Sequence, residues 1–205
     1  MADQVKNFCA YGFDTALVPV VWNVCGVKLR PFCLGHYLLL KHIHNPMMDD
    51  EETEASMEET LLWFFETLML CAATYEDGLS ILGDDALHKE TMAEFTANLE
   101  RNMKAEPGWN IFDKLRLFRE YIAYYMQFPW YTEERASNKT TPSGTDWTQN
   151  LYVTFKKLGY TESQILNMPM RKLFYEWCSY AEGEGAIKVM DKYSVEMLAR
   201  AKGLI

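Results

Sequence analysis

The 205-residue sequence predicts a mainly α fold, a helical domain with a small N-terminal β-hairpin. Three observations carry this expectation. Ile111, Leu115, Phe118, Ile122 and Tyr125 recur at intervals of three and four, the spacing of one helix face. The stretch from Met57 to Tyr75 is apolar nearly all round, the pattern of a helix covered on several sides. Alternation of β-branched residues at period two is confined to residues 16–32.

Taken in order, ALVPVVWNV and VKLRPF alternate on either side of Cys25-Gly26, which reads as a tight turn. Pro19 and Pro31 fall near the hairpin ends, where a missing N–H costs least. LGHYLLLKHIHNP reads as a short helix closed by Asn45-Pro46. Seven acids then lie between Asp49 and Glu59 with no base among them. They suit a solvated loop feeding a helix N-terminus, where the dipole favours negative charge. Leu61–Leu70 is expected to be the most buried helical stretch.

Asp77-Gly78 and Gly83-Asp84-Asp85 punctuate the chain beyond that helix. Residues 85–104 form a polar helix with Leu87, Met92, Phe95 and Leu99 on one side, ended by Pro107-Gly108. The helix beginning at Ile111 has Asp113, Lys114, Arg116, Arg119 and Glu120 opposite its apolar face, and it breaks at Pro129. Residues 132–145 are polar and rich in Pro, Gly and Ser, the best loop candidate. Asp146 caps a helix running to Leu158, which Gly159 ends. Thr161 and Gln164 fit a capping box for a short helix bearing Ile165 and Leu166. Met170, Leu173, Phe174, Trp177 and Ala181 repeat at helical spacing after Pro169, so Met-Pro-Met reads as a helix–turn–helix corner. The expected organisation is residues 1–131 as hairpin plus helical body, 132–145 as a flexible loop, and 146–205 as a C-terminal helical module packing on the body.

Composition narrows the function classes. A hydrophobic fraction of 49% supports a real core, and a net charge of −9 disfavours a nucleic-acid binder. Five cysteines at irregular spacing, with no C-x-x-C pair, suit a reducing cytoplasm. The start MADQVKNFCAYGFD lacks the basic and apolar regions of a signal peptide. The longest greasy stretch, Leu61–Ala73, is interrupted by Glu66 and Thr67 and falls short of the ~20 residues a membrane span needs, so no membrane partner is expected.

No motif announces a reaction. His36, His42 and His44 are close in sequence, but they lack the i, i+4 spacing that zinc favours, so no metal or cofactor is expected. Cys33 with His36 is a nucleophile-and-base pair only if a third group orients the imidazole, and none stands nearby in sequence. No phosphate-cradling or nucleophile-elbow pattern occurs. The aromatic run Tyr121, Tyr124, Phe128, Trp130 and Tyr131 is the candidate partner-binding surface. The helix has five other apolar positions to turn inward, and a polar loop adjoins the run.

Two segments resemble a known family. Leu29-Arg30-Pro31-Phe32-Cys33-Leu34-Gly35-His36-Tyr37-Leu38-Leu39-Leu40 comes directly after the hairpin, and Trp147 precedes a helix and then LGYTESQILNMPMRKLFYEW. Together they are similar to tail-assembly-chaperone-type proteins of long-tailed phages and prophages. Those proteins have a short β start, a mostly helical body and a related LG-x-[ST]-E-x-x-[IL]-x-x-x-P module. The similarity covers roughly residues 20–45 and 146–190, and the middle matches only as helical bulk. It implies a non-enzymatic chaperone or adaptor in the bacterial host cytoplasm. Such a protein binds the tape-measure or another tail protein, and it is compatible with a homo-oligomer. No functional residue transfers with the resemblance. A structural virion component, such as a neck or tail-completion protein, is the alternative, and a small cytosolic enzyme is a more distant one.

Overall fold

The computed structural model describes residues 20–48, 56–106, 108, 110–129, 131–133, 146–190, 194, 197, 200 and 201. The fold is mainly α, and the described residues form two compact units. The first comprises Val20–Tyr125 with Gly159–Met170. The second comprises the described residues of Met126–Leu158 and Arg171–Ile205.

The first unit opens with a hairpin, β1 (Trp22–Val24) antiparallel to β2 (Val27–Leu29), with Val24 opposite Val27 and Trp22 opposite Leu29. Cys25 and Gly26 both have positive φ, 55° and 77°, which is the two-residue turn whose twist matches that of paired strands. Gly26 is required there for a second reason. A Cβ would stand 2.6 Å from Asn102 Nδ2, and that amide donates to the Cys25 carbonyl at 3.2 Å. Expected hairpin residues 16–19 lie outside the described residues.

Five helices come next. They are α1 (Leu34–His42), α2 (Met57–Ala72), α3 (Tyr75–Leu82), α4 (Asp85–Ala105) and α5 (Ile111–Tyr125). Ser56 caps α2 reciprocally with Glu59, Thr74 caps α3, and Asp84 caps α4. The core is aromatic. Phe64 meets Phe118 edge-on at 5.8 Å, and Phe32 meets Tyr121 edge-on at 6.0 Å. Leu34, Leu40, Leu68, Leu70 and Leu99 fill the space around them.

Three expectations are corrected here. Gly78 does not break the chain: it is buried inside α3, where its missing Cβ lets Leu39 approach. In the stretch Leu61–Leu70, Phe64, Phe65 and Thr67–Leu70 are deeply buried, but Leu62 is exposed, so the helix is not covered all round. The inward face of α5 is centred on Phe118, Tyr121 and Tyr125, with Ile111, Leu115 and Ile122 half-buried. The face is rotated toward Tyr121 because the hairpin exit supplies the ring and carbonyl that Tyr121 meets.

Helix α7 (Glu162–Leu166) belongs to this first unit rather than to a C-terminal module. Its capping box between Thr161 and Gln164 forms as the sequence predicts. Just beyond it, Pro169 bridges Cys33, and the Met170 amide donates to the Phe32 carbonyl at 2.8 Å. Asn167 accepts the Tyr75 amide at 3.2 Å and donates to the Glu76 carboxylate at 3.0 and 2.9 Å. These bonds outweigh sequence proximity in deciding where residues 159–170 belong.

The second unit holds α6 (Trp147–Lys157), α8 (Met170–Gly183) beyond its first residue, and a second strand pair. Here β3 (Tyr131–Glu133) runs antiparallel to β4 (Ile187–Val189). Contrary to the sequence expectation, strand structure is therefore not confined to the N-terminal hairpin. Asp146 caps α6, and Gly159 at φ 91° lies just past its end. Phe128 and Trp177 pack on Cys178, Ala181 and Ile187, and Phe128 lies 4.6 Å from Phe174 between ring centres.

Candidate functional site

The aromatic run expected to face a partner divides among several environments. Tyr121 is core, not surface: it is wholly buried, its hydroxyl donates to the Arg30 carbonyl at 2.8 Å, and its ring edges against Trp22 and Phe32. Tyr124 is half-buried, tilted against Trp22 at 5.9 Å and edge-on to Tyr125 at 5.0 Å. Phe128 is half-buried and packed into the second unit's apolar cluster. Tyr131 enters β3 by its backbone, and its side chain and Trp130 lie outside the described residues.

Apolar surface is nevertheless present. In the first unit Val21, Phe112 and Leu62 are 68%, 64% and 56% exposed. Val20, also exposed, offers its carbonyl to the Tyr125 hydroxyl at 3.2 Å. This bond sets the exposed valines at the hairpin entrance beside the end of α5, where Trp22 meets Tyr124. In the second unit Trp147, Val153, Leu158 and Tyr180 are exposed. Exposed valines can be read from the sequence only as strand residues. Tyr121, by contrast, is recognisable as core once its hydroxyl is seen to have a carbonyl partner.

The histidines do not converge. His36 is buried, whereas His42 and His44 are exposed. Among the described residues no group of three His, Cys, Asp or Glu side chains could hold a metal ion. Cys33 and His36 are neighbours with the wrong geometry for a nucleophile and its base. The imidazole Nδ1 accepts the backbone N–H of Cys33 at 3.3 Å, and Nε2 lies 3.0 Å from the Ala73 carbonyl oxygen. Both nitrogens are thus committed to the main chain. Burial pushes the Cys33 thiol up to about 11 and holds the imidazole down to about 4, so the proton stays on sulfur. Cys71 and Cys178 are also buried, and burial raises both thiols, Cys178 to about 12. Each behaves as a small hydrophobe.

The residues around Cys33 bring together two segments far apart in the sequence, the stretch after the hairpin and the stretch around Pro169. Phe32, Cys33 and Gly35 come from the first segment, and Leu166, Pro169 and Met170 from the second. The Cys33–Pro169 bridge and the Met170-to-Phe32 bond join them. Gly35 lies so close to the Leu166 carbonyl that a Cβ would stand 2.8 Å from its oxygen. Among the described residues no helix is long and apolar enough to cross a membrane. Comparison with protein-family models, with characterised proteins and with solved structures gives no match to this chain.

Proposed function

We propose that this chain is a non-enzymatic assembly chaperone or adaptor of the tail-assembly type, which keeps a long apolar client, the tape-measure protein of a long-tailed phage, in solution in the bacterial cytoplasm. The observation that carries the reading is the closure of residues 32–35 onto residues 166–170. Of the family pattern, the stretch after the hairpin and the Gly159–Met170 part of the second stretch then belong to one compact unit, while residues 146–158 and 171–190 belong to the other. Two further features support it. The net charge of −9 keeps a complex soluble, and exposed apolar side chains at the hairpin entrance offer adaptable contact area.

The partner surface is proposed at Val20 and Val21 with Tyr124. Phe128 and Tyr121 are reassigned to packing. Co-expression of the chain with the tape-measure protein tests the reading. The client should move from the pellet to the soluble fraction and co-purify with the chain, and Val21→Asp should weaken that recovery while leaving the melting temperature unchanged. A client whose solubility is indifferent to the chain would overturn the chaperone reading. Stoichiometric retention of the chain in purified particles would replace it with a structural role.

A further inference from the structure

His36 has both ring nitrogens engaged, and only its neutral form satisfies both bonds. A carbonyl can only accept, so Nε2 carries the hydrogen and donates to Ala73. A backbone N–H can only donate, so Nδ1 is bare and accepts from Cys33. A second proton must go to Nδ1, where it would face the Cys33 N–H. With His36 only 1% exposed, water is poorly placed to relieve that clash.

The surrounding groups do not favour a cation. Arg30, beyond β2, adds a like charge. Cys33 at the cap of α1, Cys71 on α2 and Tyr121 on α5 are neutral because burial raises all three. Glu76 on α3 acts on the Cys33 thiol, and its carboxylate is turned to Ser163 and Asn167.

The broken bond would sit at a critical place. Cys33 is the residue that bridges Pro169, and its predecessor Phe32 holds the Met170 amide. We propose that His36 is an acid-operated latch: protonation at Nδ1 undoes the Cys33 turn and releases residues 159–170 from the first unit before the rest of that unit unfolds.

Linkage sets the direction. Closed, the ring is held down to about 4 by burial, with Arg30 adding to the effect. Open, it returns to about 6.5. The open form binds the proton more tightly, so opening grows as pH falls from about 6.5 toward 4, and the latch is fully closed above that window. At pH 5 the open-to-closed ratio should stand about thirtyfold above its value at pH 8. Glu76, which ties down the same segment, is held below the usual carboxylate range by Ser163 and Asn167, so it stays ionised at pH 5.

Hydrogen exchange on the intact chain at pH 8 and pH 5, corrected for intrinsic rates, reads this out. Protection of the Met170 amide and of α7 should fall about thirtyfold, while Leu68–Leu70 of α2 keep theirs. In His36→Gln, protection at Met170 should not change over this range. Glutamine at the third helical position can still accept the Cys33 N–H, as in a capping box, and does not titrate. Equal acid loss in both proteins, no loss in the wild type, or simultaneous loss throughout α2 would overturn the latch. Should His36→Gln fail to fold, carbon-13 NMR of the wild-type ring decides. Its titration midpoint must lie well below 6.5 and track the Met170 opening. A folded-state midpoint at the ordinary histidine value, or one uncoupled from Met170, overturns it equally.

Discussion

Replacing Gly35 with alanine should destabilise the protein although alanine is the better helix former. Propensity alone would favour the substitution by about 1 kcal/mol inside α1. The new Cβ, however, would lie 2.6 Å from Tyr75 Cδ2, 2.7 Å from Tyr75 Cβ and 2.8 Å from the Leu166 carbonyl oxygen. Ordinary contact needs well over half an ångström more on each side. Tyr75 Cβ and the Leu166 oxygen are fixed to backbone, so helices rather than rotamers must move. Overpacking of this kind typically costs about 1–3 kcal/mol, and the backbone contacts put Gly35 at or above the upper end, leaving a net loss of about 2 kcal/mol. Gly78→Ala should cost less, because its Cβ would meet the Leu39 Cδ1 methyl at 2.7 Å, the far end of a side chain that can turn away. Gly183→Ala, with nothing within 4 Å of its Cβ, should be neutral or slightly stabilising. Urea unfolding monitored by circular dichroism would rank the three. A Gly35→Ala protein as stable as the wild type would refute the close approach of α1 to α3 and α7.

Two further outcomes are expected. Tyr121→Phe keeps the ring but strands the Arg30 carbonyl that its hydroxyl meets at 2.8 Å, so thermal melts should report a loss of about 1–2 kcal/mol, well short of the roughly 3–5 kcal/mol expected for an aromatic-to-alanine change in a core. Cys25, Cys33, Cys71 and Cys178 should resist a disulfide reagent at pH 8 in the native protein and react on unfolding, since all four are buried. Mass spectrometry of the labelled peptides would expose any rapid reaction at one of these positions, and such a reaction would contradict their packing.

Local signals in the sequence translate well into helices. The Thr161–Gln164 capping box, the Asp146 cap and the Cys25-Gly26 turn each involve neighbouring residues whose chemistry is self-contained. Gly78 misleads because glycine marks both a chain break and a close approach, and only Leu39, from another helix, decides between them. The second strand pair joins residues 131–133 to 187–189, a pairing that three-residue segments cannot signal. Counting five other apolar positions on its helix sends Tyr121 outward, and the count is blind to its hydroxyl. A buried tyrosine needs an acceptor, and the acceptor here is a main-chain carbonyl in a distant loop, which no side-chain pattern reveals. The exposed valines are illegible for the converse reason. Their β-branched character fits a strand whether or not anything covers it.

The return of residues 159–170 to the first unit has a consequence for how the chain is made. Asn167 and Glu76 are bonded across 91 positions. The nascent hairpin and α1–α5 therefore wait for a late partner, with the Phe32 carbonyl and the face around Gly35 uncovered. Such non-local closure raises contact order and slows folding. Translation and assembly are thereby coupled: the first unit is completed only after the residues of α6 have been synthesised, and until then the same uncovered edge is open to wrong associations.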